Sequence, residues 1–178
     1  MAIVALAGLA GCTPSPHDLA AAGDAVGLEA LLKTGEHLAD SQGPNRKRPL
    51  HYAATHGQSE TIQVLLRFGV DKDARDETGL TPLHCAAVWE RMDAAKTLLD
   101  AGAKIEAEDA FQDTPLHLAA MHNRVTMIEF LVERGANVRA ANRKDKTPLD
   151  LAIEQRKPEA AAALREAVKN APPVEPAS

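Results

Sequence analysis

The chain has 178 residues, a formal net charge of −5, 45% hydrophobic residues and few aromatic rings: one Trp, one Tyr and three Phe. That hydrophobic fraction excludes a disordered polymer. The acidic balance excludes the concentrated basic surface that nucleic acid requires, and two cysteines exclude a disulfide framework or a Cys-only zinc site.

Length alone predicts one domain, built from thin aliphatic layers rather than large rings. Residues 1–17 carry no charged side chain apart from the titratable His17. The first 12 form an apolar run too short to span a bilayer and of the length of a signal-peptide core. Its end, Leu9-Ala10-Gly11-Cys12, resembles a bacterial lipobox. That resemblance implies cleavage before Cys12, lipidation of Cys12, and a tether over 12–17. Several acyl chains would anchor stably where one is marginal. Thr13 after Cys12, rather than Asp, resembles outer-membrane sorting. The basic start usual for such signals is missing. A helix packing on the first repeat is therefore the alternative for this segment.

Four copies of one motif follow at a constant spacing of 33 residues. They are Arg48-Pro49-Leu50-His51-Tyr52-Ala53, Thr81-Pro82-Leu83-His84-Cys85-Ala86, Thr114-Pro115-Leu116-His117-Leu118-Ala119 and Thr147-Pro148-Leu149-Asp150-Leu151-Ala152. Leu65-Leu66, Leu98-Leu99 and Leu131-Val132 keep the same phase, as do Gly69, Gly102 and Gly135. An earlier unit lacks the motif but keeps Gly23, Leu31-Leu32 and Gly35. Such a period signals stacked repeats. The expected units are about 18–45, 46–78, 79–111, 112–144 and 145–170. Residues 171–178, rich in Pro, are expected to form a disordered tail.

Each copy predicts two helices and a finger. Thr caps the first helix and Pro takes its first position, where no N–H is needed. Leu and Ala keep that helix short and allow close approach. The second helix, for example Met92–Asp100, ends at a Gly able to turn left-handed. An extended finger, for example 104–112, leads to the next turn. The Thr-Pro-Leu-His-x-Ala motif and the period resemble the ankyrin repeat family over roughly residues 18–170. The resemblance implies an all-α solenoid of helix-turn-helix units with β-hairpin-like fingers. The two outermost units are expected to act as caps. Arg165 stands where Leu66, Leu99 and Val132 stand earlier, and a terminal repeat needs a polar outer face.

Two departures from the family pattern carry expectations. The family usually places Gly in the finger turn. Gly79 fits, but Arg46, Gln112 and Asp145 hold the equivalent positions. Arg and Gln tolerate positive φ poorly, so those two turns are expected to be distorted. Lys72 takes the place of apolar Ile105 and Val138, which predicts a leaky layer there.

Seven histidines invite a metal or catalytic reading. His51, His84 and His117 share one motif position. The resemblance implies that this His bonds the motif Thr and the neighbouring repeat's backbone, a structural role shared with Thr81, Thr114 and Thr147. Arg48 replaces Thr and removes one partner of His51; Asp150 replaces His in the last copy. His56 and His122 align with Trp89. At about 8–10 Å per layer their rings stand roughly 20 Å apart, too far to share a zinc ion. Cys85 shares a slot with Tyr52, Leu118 and Leu151 and is expected to be a small buried residue. No Ser/His/Asp order, phosphate loop or zinc-protease helix motif occurs. Asp18, Asp24, Glu106, Glu108 and Asp109 read as solvated charge. No catalytic residue, cofactor or metal is expected.

In the family, partners are met by finger tips and by the two residues after the Ala pair of each first helix. Those positions here are Thr55, His56, Val88, Trp89, Met121, His122, Glu154 and Gln155. The finger tips add Glu77, Thr78, Leu80, Ala110, Phe111, Asp113, Arg143, Lys144 and Lys146. Trp89, Val88, Leu80, Phe111 and Met121 are expected to converge on the central units as an apolar hot spot. Arg46-Lys47-Arg48 and Arg143, Lys144 and Lys146 lie at opposite ends of the finger row. They either frame an acidic partner or keep the tips soluble.

The expected function is a non-enzymatic, monomeric protein-binding module. It is expected at the periplasmic face of the envelope, on the outer membrane, anchored through Cys12. Its partner is another protein, with no nucleic acid and no other membrane contact. Narrower or different readings stand beside this one. They are an immunity protein neutralising a secreted effector such as a lipase, an envelope protein aiding oxidative-stress protection, and a cytosolic adaptor.

Overall fold

The computed structural model describes residues 14–171. The lipobox, Cys12 and the tail beyond 171 lie outside these residues. Among the described residues the chain forms ten α-helices in five pairs. They are α1 (Pro16–Ala22) and α2 (Ala25–Leu32), α3 (Pro49–His56) and α4 (Ser59–Arg67), and α5 (Pro82–Val88) and α6 (Met92–Asp100). Then come α7 (Pro115–Met121) and α8 (Val125–Glu133), and α9 (Pro148–Glu154) and α10 (Pro158–Asn170). The odd-numbered, inner helices stack side by side in chain order; of the outer ones, α2 packs on α4, α4 on α6 and α8 on α10.

Small side chains make the layers thin. The pairs Ala53-Ala54, Ala86-Ala87 and Ala119-Ala120 are fully buried in the inner helices, next to Leu50, Leu83 and Leu116. Each outer helix contributes a fully buried Leu at the repeat spacing: Leu32, Leu65, Leu98, Leu131 and Leu164. The largest fully buried side chains are Leu, Ile and Met. Tyr52, Phe68 and Phe130 pack half-buried at the edge of that core. Arg165 is exposed on α10, the last helix among the described residues.

The first unit differs from its expectation. Ser15-Pro16-His17-Asp18-Leu19-Ala20 stands 33 residues before Arg48-Pro49 and carries the motif in another form. Ser15 N donates to the Asp18 carboxylate at 3.1 Å, and Asp18 N donates back to Ser15 Oγ at 3.2 Å. Thr147 and Asp150 make the same reciprocal cap, at 2.9 and 3.2 Å. The unit thus begins at Ser15, and Pro16 and His17 are helical rather than part of a tether. Ser and Asp satisfy the free amides of a helix start as well as Thr and His do.

The fingers are turns, with no β-strand among the described residues. Each closes on a backbone bond across its base, Gly43 N to Lys47 O, Asp76 N to Leu80 O, Asp109 N to Asp113 O and Asn142 N to Lys146 O, at 2.8 to 3.0 Å, with a second inside the turn, such as Gly79 N to Asp76 O. One further bond joins each finger to the next: Glu77 N to Asn45 O, Ala110 N to Thr78 O and Arg143 N to Phe111 O. A single bond per step is too little for a ladder. Side chains supply the remainder. Asp76, Asp109 and Asn142 are buried, and one oxygen of each accepts two amides of its own turn. Asp109 is therefore structural rather than solvated charge.

The two suspect turns part company. Gln112 takes φ of 62°, as Asp145 takes 54°, and its finger keeps the common closure. In the first finger Asn45 and Arg46 both have positive φ, 57° and 56°. There Gly43 stands in the slot of Asp76 and has no side chain to hold the turn. Gly79 has a second reason to be Gly, since a Cβ there would stand 2.8 Å from Ala110 N of the next finger. Lys72 is half-buried, and its Cε lies 3.6 Å from where a Cβ on Gly102 would stand. Its stem packs while its charge stays near water.

Candidate protein-binding face

Two sets of bonds hold the inner helices in register. The first is a line of histidines. Thr81 N donates to His84 Nδ1 at 3.1 Å, Thr81 Oγ1 lies 2.9 Å from the same atom, and Nε2 meets Asp113 O at 3.0 Å. His117 repeats this with Thr114 and Lys146 O. His51 keeps Arg48 N at 3.2 Å and Leu80 O at 3.0 Å, without a hydroxyl. An amide can only donate and a carbonyl only accept. Each ring is thus neutral, with its proton on Nε2. Burial pushes the His84 pKa down to about 4, and lowers that of His51.

The second set has no motif in sequence beyond a polar residue at the repeat spacing. Gln58 Nε2 donates to Ala21 O at 3.3 Å, Arg91 Nε to Thr55 O at 3.0 Å, and Arg124 Nε to Val88 O at 2.8 Å. Each side chain starts just before an outer helix and reaches the C-terminal end of the preceding unit's inner helix. The free carbonyls and negative dipole end there favour a donor, above all a cation.

The stacked units present their fingers at one end of the inner helices and their inner turns at the other. His56, Glu77, Thr78, Trp89, Ala110, Phe111, His122, Arg143, Lys144, Glu154 and Gln155 are exposed. Thr55, Leu80, Val88, Met121 and Lys146 are half-buried. Asp113 departs from its expected display: it is only 7% exposed. Its amide bonds Asp109, its carboxylate accepts Asn142 Nδ2 at 2.7 Å, and its carbonyl serves His84. The last residue of a finger turns inward to begin the next cap, so finger position alone does not expose a side chain.

Trp89 is 52% exposed and Phe111 60%. They do not converge. Trp89 closes the C-terminal end of α5, while Phe111 lies on the finger leading into α7. A seven-residue inner helix, about 10 Å long, separates the two levels. The side therefore offers two aromatic anchors, one low and one high, on adjacent units. His56 Nδ1 is held by Tyr52 O at 2.9 Å. His122 has its pKa lowered by burial, with the cations Arg124 and Lys157 adding to it. Cys85, buried and free, has its thiol pKa pushed up to about 11 by burial.

A family model described as ankyrin repeats (3 copies) matches residues 17–109 and again residues 106–172. No curated protein matches the chain.

Proposed function

Because the chain belongs to the ankyrin repeat family, a family of protein–protein interaction modules, we propose that it binds its partner through the finger tips and inner turns. One observation carries this reading. The only Trp of the chain and one of its three Phe are more than half exposed on that side, while the fully buried core needs no ring at all. Exposed rings contribute little to folding, and Trp is the commonest interface hot spot. The helix pairs are already packed on one another in the free chain, so a partner would meet a preformed face at little cost in ordering entropy. Titration of the partner against wild type and Trp89→Ala tests the reading. The substitution is expected to weaken the complex by about 2 kcal/mol or more; equal affinity would refute it.

We also propose that the module is exported and anchored by lipid on Cys12, at the periplasmic face of the envelope. The support is the Leu9-Ala10-Gly11-Cys12 sequence. Only Thr13 and Pro14 stand between Cys12 and the cap at Ser15. Three residue steps span about 10 Å at most, so an anchored chain would hold its first unit at the bilayer surface. Metabolic lipid labelling of wild type and Cys12→Ser, with fractionation, tests this. Unlabelled wild-type protein of unprocessed mass would refute it.

A further inference from the structure

Each exposed ring on the displayed side has an arginine of the next unit bonded beside it. Arg143 N donates to Phe111 O at 3.0 Å. Arg124 Nε donates to Val88 O, one residue before Trp89, at 2.8 Å. This second bond fixes the guanidinium and leaves its terminal nitrogens as donors.

Two nearby carboxylates are turned inward, while Glu90, beside Trp89, is only half-buried. Asp109 and Asp113, on the same finger as Phe111, are buried, one oxygen of Asp109 accepting two amides and one of Asp113 accepting Asn142. The exposed residues at its tip, Ala110, Phe111 and Gln112, are uncharged, and Glu106 and Glu108 are exposed nearer its base. The next finger exposes Arg143 and Lys144 beside Asp145. Glu154, further along, faces Lys146 at 3.9 Å and is followed by Arg156 and Lys157. The whole chain carries −5, so this cationic end runs against the overall charge. General solubility does not call for it, because an acidic protein is already kept apart by its net charge.

We propose that the face from α5 to α9 takes an acidic protein segment, whose Asp or Glu residues flank two apolar anchors seated on Trp89 and Phe111. This rests on the reading of that side as the binding face. The anchors differ by one inner-helix length and one layer, roughly 14 Å in all. An extended segment covers that in roughly four residues. Aromatic contacts supply the affinity, and the cations steer encounter and select against basic chains.

The test is selection of random 16-residue peptides displayed on phage against the full chain, followed by titration of a selected synthetic peptide. Trp89, as the only Trp, reports wild-type binding by its own fluorescence, and the anisotropy of a dye-labelled peptide reads every variant, Trp89→Ala included. The selected peptides are expected to be rich in Asp and Glu, with two apolar residues about four positions apart. Affinity is expected to fall about tenfold in Arg143→Glu/Lys144→Glu, and to fall with added salt. Lys96→Glu, on the outer helix α6, is expected to leave it unchanged, with circular dichroism of all variants as wild type. Peptides without acidic excess, or equal binding by the charge-reversed variant, overturn the acidic partner while leaving the face intact. Peptides that bind Trp89→Ala as tightly as wild type overturn the face itself. A 20-nucleotide single strand that displaces the peptide at equal concentration overturns the protein segment in favour of nucleic acid.

Discussion

Asn142 Nδ2 donates to Asp113 Oδ1 at 2.7 Å, joining the last two fingers beneath their exposed tips. Both side chains are buried. Asn suits this place because its other end must accept the amides of Lys144 and Lys146, and a carboxylate could accept those but could not donate to Asp113.

Asn142→Asp is therefore expected to lower the unfolding free energy by about 2–3 kcal/mol at pH 7. It replaces a donor by a second buried negative charge. The deficit relative to wild type should shrink near pH 4, where one of the two carboxyls takes a proton. Urea unfolding of both proteins at the two pH values measures this; a deficit independent of pH would contradict it.

The line of neutral histidines sets a pH dependence. His84 titrates at about 4 in the fold and near 6.5 in an unfolded chain. Between those values the unfolded chain binds the extra proton, so stability is full above pH 6.5 and falls as the pH drops toward 4. For His84 alone the loss is about 3 kcal/mol at most, and His51 acts in the same direction. Urea midpoints at pH 7, 6, 5 and 4 follow it, and a flat profile would show that the ring takes up a proton without cost.

Trp89→Ala and Leu98→Ala should separate binding from folding. Leu98 is fully buried in α6, and its truncation is expected to cost about 2–5 kcal/mol of stability. Trp89 is half in water, and its truncation is expected to change stability by about 0.5 kcal/mol or less. Thermal unfolding of the two variants beside wild type decides it. A large loss at Trp89 would mark it as core.

Cys85 is expected to resist thiol reagents in the folded protein. Burial disfavours its thiolate, with the pKa raised to about 11, and the thiolate is the reacting form. In Cys12→Ser at pH 8, labelling should be slow and should accelerate with urea in step with unfolding. Rapid labelling without urea would show a local opening of the inner helices.

Much of this was legible in the sequence. The four motif copies place α3 to α10, because Pro, buried Leu and small Ala each have a local physical role. What escaped had no fixed residue type. Ser15 and Asp18 make the same cap as Thr147 and Asp150, yet no letter of Thr-Pro-Leu-His reveals it except Pro16. Gln58, Arg91 and Arg124 do one job with two kinds of side chain. Asp109 and Asp113 look solvated by position, and only the three-dimensional turn shows their oxygens directed at its own amides and at the next finger. The separation of Trp89 from Phe111 likewise depends on which end of an inner helix each one occupies.

The histidine line also has a direction. His51, His84 and His117 each give their Nε2 proton to a carbonyl of the following unit: Leu80, Asp113 and Lys146. Removal of the first helix pair takes no partner from any of these rings. Removal of the chain from residue 142 onward takes the acceptor from His117 and leaves its Nε2 proton to water. Shortening from the end therefore breaks the histidine line, whereas shortening from the beginning leaves that line whole and costs Gln58 its acceptor, Ala21 O.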